Sequence, residues 1–231
     1  MHAAERLIVA LDVPTLEEAL GLADALAGVV SFFKVGLELY TAAGPRAVEE
    51  LRRRGHRVFL DLKLFDVPAT VERAARAAAL SGATFLTVHT GGATVASAVA
   101  GAGTSGLQIL AVTVLTSLDG NDLREMGCPD PVDVVVLRRA RLAQRQGAAG
   151  VIASPLEAAA IRRALPSPFL VVTPGIRPQG ADAGDQKRLA TPAAAFAAGA
   201  DYLVVGRPIT RAPDPAAAAR AILAEMPAGL P

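Results

Sequence analysis

Arg57-Val58-Phe59-Leu60-Asp61-Leu62-Lys63-Leu64-Phe65-Asp66 is the stretch on which the architecture turns. In an extended chain alternate residues share a face, so Asp61 and Lys63 lie on one side and Leu60, Leu62 and Leu64 on the other. Leucines suit the underside of covering helices. That leaves Asp61 and Lys63 directed into a lumen, near the C-terminal end of the strand, where an unpaired charge costs on the order of several kcal/mol. The two charges must be paired. Taken alone, the pair reads equally as an ion pair closing a barrel mouth and as working machinery.

Outward from this strand the same kind of run recurs, at Leu7 to Asp12, Phe32 to Gly36, Phe85 to Thr90, Gln108 to Leu115, Gly150 to Ser154, Phe169 to Gly175 and Tyr202 to Gly206. With Arg57 to Lys63 these make eight. Between them lie stretches of helical spacing, such as Thr15 to Ala27, Arg46 to Arg54, Thr70 to Ser81 and Pro131 to Gln146. Thr15 and Glu18 have capping-box spacing, while Gly28, Gly55, Gly82 and Gly147 stand where helices should stop. Apolar strands alternating with helices predict a parallel sheet, and eight units predict closure into an α/β (β/α)8 TIM barrel. A doubly wound open sheet is the alternative. No linker divides the chain, so residues 1–231 are expected to form one domain.

The composition narrows the partners. The chain has 231 residues, 52% of them hydrophobic, a net charge of +1, and no basic run longer than Arg52-Arg53-Arg54. Such a surface offers no field for nucleic acid. Six residues precede the first apolar run and no uncharged stretch approaches a membrane span, so neither secretion nor membrane insertion is expected. Cys128 is the single cysteine, which fits a reducing, cytoplasmic setting. Lysine is rare, with Lys34, Lys63 and Lys187 against 20 arginines. Since lysine can be tuned and deprotonated where arginine cannot, its appearance at two strand ends is suggestive.

Charge collects at those ends. Asp12 closes the first run and Lys34 lies in the second, so that with Asp61, Lys63 and Asp66 five charges gather at three adjacent strands. Alternating signs can hold a lysine protonated beside a substrate, which favours machinery over simple closure. Gly206 and Arg207 after the last run have the makings of a phosphate grip, glycine for close backbone approach and arginine for its fork of donors. Thr173 to Arg177 end the seventh run, and Gln186 in the following loop could bridge a neutral ring and a phosphate. Thr116 to Asp130 and Ile176 to Pro192 are long enough for lids, or are ordinary surface loops. His89 has no imidazole companions to bind metal and is expected to be hydrogen-bonded in the mouth rather than to act as a base.

Asp61-x-Lys63-x-x-Asp66, followed by Val67-Pro68-Ala69-Thr70, resembles the signature of the orotidine 5'-phosphate decarboxylases. The resemblance covers almost the whole chain, through Leu11-Asp12, Phe33 to Gly36, Val112 to Ser117, Thr173 to Arg177 and Gly206-Arg207. It implies that Lys63 gives a proton to C6, that Asp61 faces the scissile carboxylate, and that Asp12 and Lys34 hold ribose hydroxyls. It further implies that Asp66 and Thr70 reach the neighbouring site of a homodimer, and that Thr116 and Ser117 meet the pyrimidine. Gln186 would link base and phosphate, with Arg177, Gly206 and Arg207 at the phosphate end. No cofactor and no metal are implied. The turn Thr90 to Ala93 is shorter than the family's usual one.

Two rivals share features with this reading. Ketogulonate-phosphate decarboxylases and hexulose-phosphate synthases resemble the chain in the same motif but use magnesium, and typically carry glutamate where this chain has Lys34; a cation there disfavours a divalent metal. A non-catalytic nucleotide-binding barrel would be expected to have lost the central lysine, and Lys63 is intact. A scaffold gives no reason to gather five charges.

Overall fold

The computed structural model describes residues 3–178 and 189–227. Its strands are β1 (Leu7–Ala10), β2 (Phe32–Val35), β3 (Arg57–Leu64), β4 (Phe85–His89), β5 (Gln108–Val112), β6 (Gly150–Ile152), β7 (Leu170–Thr173) and β8 (Tyr202–Val205). Each pairs in parallel with the next, and β8 returns to β1 through Leu7 opposite Leu203 and Val9 opposite Val205, closing the barrel. The open-sheet alternative is thereby excluded.

Local chemistry explains the punctuation. Thr15 Oγ1 accepts the Glu18 N–H at the start of the helix Leu16–Ala25. Proline occupies the first turn of Pro68–Leu80, Pro155–Ala164, Pro192–Ala197 and Pro215–Ala224, where its missing N–H costs nothing. Gly28, Gly55, Gly82 and Gly147 all adopt positive φ after their helices, as the stop signals predicted. The expected loop after β5 is partly helical: Gly120–Glu125 begins with a complete capping box between Asp119 and Asp122. β5 itself ends at Val112, three residues earlier than its apolar run. Its partner β6 is only three residues long, and after Thr113 N–H reaches the Ile152 carbonyl no further ladder is available.

Two apolar layers result. The outer one lies between strands and helices. The inner one fills the lower lumen with Ile8, Phe32, Phe59, Phe85, Leu110 and Tyr202, among others. The Phe85 ring lies 5.3 Å from Phe32, 5.9 Å from Phe59 and 5.3 Å from Tyr202, mostly edge to face. Below them the Arg57 guanidinium sits 4.1 Å from the Phe32 ring centre. The acidic and lysine side chains of the strand ends gather instead at the other, C-terminal end. Among the described residues no helix is long and apolar enough to cross a membrane.

Candidate active site

β3 carries the central groups, but not as a regular strand. Its ladder to β4 passes from Leu60 opposite Leu86 to Leu64 opposite Val88, so four steps on β3 match two on β4. The surplus is absorbed at Lys63, whose φ of 50° is unique among the described non-glycine residues. A left-handed conformation costs such a residue about 1–2 kcal/mol, and strain of this kind is retained where surrounding contacts enforce it. Simple alternation predicted the facing of Asp61 and Lys63. It could not predict the bulge that brings both to the rim.

Around the rim the charges form a relay. Lys34 Nζ donates to Asp12 Oδ1 at 2.8 Å and lies 3.5 Å from Asp61 Oδ2, which in turn accepts from Lys63 Nζ at 2.9 Å. Lys34 and Asp61 are each only 8% exposed. Burial pushes the Lys34 ammonium down, but the Asp61 and Asp12 carboxylates outweigh it and hold the group above the usual lysine range. Burial likewise pushes Asp61 up, and the Lys34 and Lys63 charges with their hydrogen bonds reverse this, leaving it below the usual carboxylate range. The relay needs Gly36 behind it: a Cβ there would stand 2.7 Å from both Asp12 Oδ1 and Lys34 Nζ.

The relay forms one wall of a cavity of about 430 Å³, within the usual size of a small-molecule site. Thr116 and Ser117, beyond β5, line another part of it. Arg177, Gly206 and Arg207, beyond β7 and β8, line a third, so the expected phosphate end opens into the same space. Arg177 is set in place by its own N–H, which donates to the Ala190 carbonyl at 3.0 Å, while the Ala190 N–H reaches Gly175. Gln186 lies outside the described residues.

Two sequence candidates stay away from this cavity. Asp66 is exposed and its Oδ1 accepts the Val67 N–H at 2.6 Å, while Thr70 Oγ1 accepts from Arg73 at 3.4 Å. Four of the five charges therefore meet, and the fifth is carried outward where the chain leaves the barrel after Leu64. Beside Asp66 stand the exposed apolar side chains Phe65 and Val67, with Leu37 also exposed after β2. His89 packs its ring edge to face on Phe65 at 6.2 Å. Burial, then the charges of Lys63 and Arg139, hold its imidazole below the usual histidine range.

Sequence reading missed several groups. Glu38, Thr210 and Arg211 line the cavity, each one turn into the segment after a charged or glycine-bearing strand end, which is the only signal they had. Thr87 on β4 is fully buried and bonds to both Asp61 and Lys63, with no signal beyond being polar in an inward position.

Comparison with known proteins accords with this geometry. The family described as "Orotidine 5'-phosphate decarboxylase / HUMPS family" matches residues 5–222. The chain is 56% identical over 227 residues to an orotidine 5'-phosphate decarboxylase of Anaeromyxobacter sp. (strain K), covering 97% of this chain and 99% of that one. It is 51% identical over 236 residues to the corresponding protein of Moorella thermoacetica, covering 98% and 94%. The crystal structure of orotidine 5'-phosphate decarboxylase from Lactobacillus acidophilus superposes with a TM-score of 0.86 at 42% identity, over 97% of this chain and 100% of that one. A closed barrel, a charged relay across its first three strand ends and kinship of this extent place the chain in the orotidine 5'-phosphate decarboxylase / HUMPS family.

Proposed function

We propose that the protein decarboxylates orotidine 5'-monophosphate to uridine 5'-monophosphate and CO2, the last step of UMP synthesis, without a cofactor, and that residues 1–231 do so as one domain. The observation that carries this reading is the Asp12–Lys34–Asp61–Lys63 relay, with Lys34 and Asp61 buried at its centre, opening into one cavity with Arg177, Gly206 and Arg207. In the reaction the bond from C6 to the carboxylate breaks and its electron pair stays on C6. The ring delocalises that pair poorly, so stabilisation has to be electrostatic and local. Lys63 faces the developing charge and then delivers its proton to C6. Asp61 holds Lys63 in place and lies against the departing carboxylate. Asp12 and Lys34 take the ribose hydroxyls, Thr116 and Ser117 the pyrimidine edge, and Gln186 spans base and phosphate.

The magnesium-dependent sugar-phosphate reaction is disfavoured by Lys34, whose ammonium occupies the space between the Asp12 and Asp61 carboxylates. The direct test follows the ultraviolet absorbance of orotidine 5'-monophosphate on adding purified protein in excess EDTA. Rapid loss is expected; a folded protein that leaves the absorbance unchanged, or needs magnesium restored, would refute the reading.

We further propose a homodimer in the cytoplasm, with Asp66 and Thr70 completing the partner's site. Their absence from the lining of the chain's own cavity, and the exposed Phe65 and Val67 that flank Asp66, support this. Mixing inactive Lys63→Ala and Asp66→Asn chains under exchange conditions should restore activity, because half of the pairs are hybrids and each hybrid carries one intact site: about a quarter of all sites. No recovery in a mixture shown to exchange would exclude shared sites.

A further inference from the structure

Thr87 hydrogen-bonds to both members of the central pair without lining the cavity. It lies on β4, fully buried, where the β3 ladder is interrupted. A threonine hydroxyl has one proton to donate and lone pairs to accept with. Here Oγ1 donates to Asp61 Oδ1 at 2.8 Å and accepts the Lys63 N–H at 2.9 Å. The first bond fixes one carboxylate oxygen and so turns the other, Oδ2, toward the two ammonium groups. The second supplies an acceptor to an N–H that the register shift has taken out of line with the β4 backbone, at the residue held at φ 50°.

We propose that Thr87 is a positioning residue for the reaction, its single hydroxyl setting both the Asp61 carboxylate and the Lys63 backbone so that the ammonium is held at the rim. This rests on the decarboxylase reading of the same site. The Thr87 hydrogen bond also acts in the same direction as the Lys34 and Lys63 charges on Asp61, against the larger opposing effect of burial. A displacement of about 1 Å in such a constellation can cost roughly a hundredfold in rate.

The test compares steady-state kinetics of the wild type with Thr87→Val, which keeps the shape without the hydroxyl, and Thr87→Ser, which keeps the hydroxyl without the methyl. Thr87→Val is expected to lower kcat by roughly ten- to a hundredfold with little change in KM, since the contact acts on the reacting groups rather than on the phosphate. Thr87→Ser should recover most of that loss. Wild-type kcat in Thr87→Val, a change confined to KM, or a Thr87→Ser as slow as Thr87→Val would each overturn the proposal. If Thr87→Val does not fold, Thr87→Cys takes its place: a depressed kcat supports the assignment and an undiminished one refutes it. An inactive wild type overturns the decarboxylase reading and this inference with it, whereas an active wild type beside unaffected variants overturns this inference alone.

Discussion

Lys63→Ala is expected to lose at least roughly 10⁴-fold in kcat while remaining folded. General acid catalysis contributes about 10²–10⁴ and a charge aimed at a developing anion about 10²–10³, and Lys63 supplies both through one ammonium. Folding should survive because Asp61 retains Lys34 at 3.5 Å and the Thr87 hydroxyl at 2.8 Å. Single-turnover decarboxylation, with circular dichroism alongside, checks both halves. Residual activity above about one per cent would mean that the proton reaches C6 from elsewhere, since loss of a general acid alone removes about 10². The left-handed backbone provides a control: Lys63→Gly should be equally inactive but more stable to denaturant than Lys63→Ala by about 1 kcal/mol, because glycine adopts positive φ without strain.

Asp61→Asn should damage stability as well as rate. Among the described residues its carboxylate alone pairs with both Lys34 and Lys63, and removing it leaves one buried and one half-buried ammonium to be balanced by Asp12, whose side chain is 53% exposed. Breaking a buried pair costs about 3–5 kcal/mol, and the accessibility of Lys63 argues for the lower figure. For a chain of this size that is roughly a 6–12 °C fall in Tm. The rate should fall about 10²–10³-fold as the ammonium loses its anchor. The pH dependence has a definite sign. Because the folded carboxylate titrates below its usual range, its contribution is present above the ordinary carboxylate pKa and is lost only as pH falls through the depressed value. Because Lys34 titrates above the usual lysine range, its contribution persists until pH rises through that higher value. The wild-type advantage over Asp61→Asn in melting experiments should therefore stay level across neutral pH and shrink toward acid. An advantage that vanishes near pH 7, or a variant that melts higher, would mean that the carboxylate is held against its preference.

Much of this was legible in the residues because the barrel writes itself locally. β-branched and leucine-rich runs became strands, and the glycines that should stop helices do so with positive φ. What was hidden belongs to pairs of elements. β5 was read through Leu115, yet a strand extends only as far as its neighbour offers partners, and β6 stops at Ile152. The bulge at Lys63 depends on the register of β4, which no pattern within β3 can express. Thr87 looked like any threonine in a strand, since threonine is common there for steric reasons. Asp12, Lys34, Asp61 and Lys63 were visible because charge is conspicuous in apolar runs. Asp66 was visible for the same reason, but its outward course was implied by the family resemblance and not by the charge pattern, because it depends on where the chain leaves the sheet.

The aromatic filling of the lower lumen also governs traffic. Phe59 lines the cavity and belongs to the inner apolar layer, with Phe85 and Tyr202 beneath it and Arg57 stopping the far end. Among the described residues, a vessel stoppered in this way opens at the rim alone. On the reading proposed above, nucleotide enters and leaves by the rim, and CO2 released beside Asp61 takes the same route. If Arg177 and Arg207 hold the phosphate as proposed, loosening that grip is expected to speed product release at the expense of substrate binding, through one shared entrance.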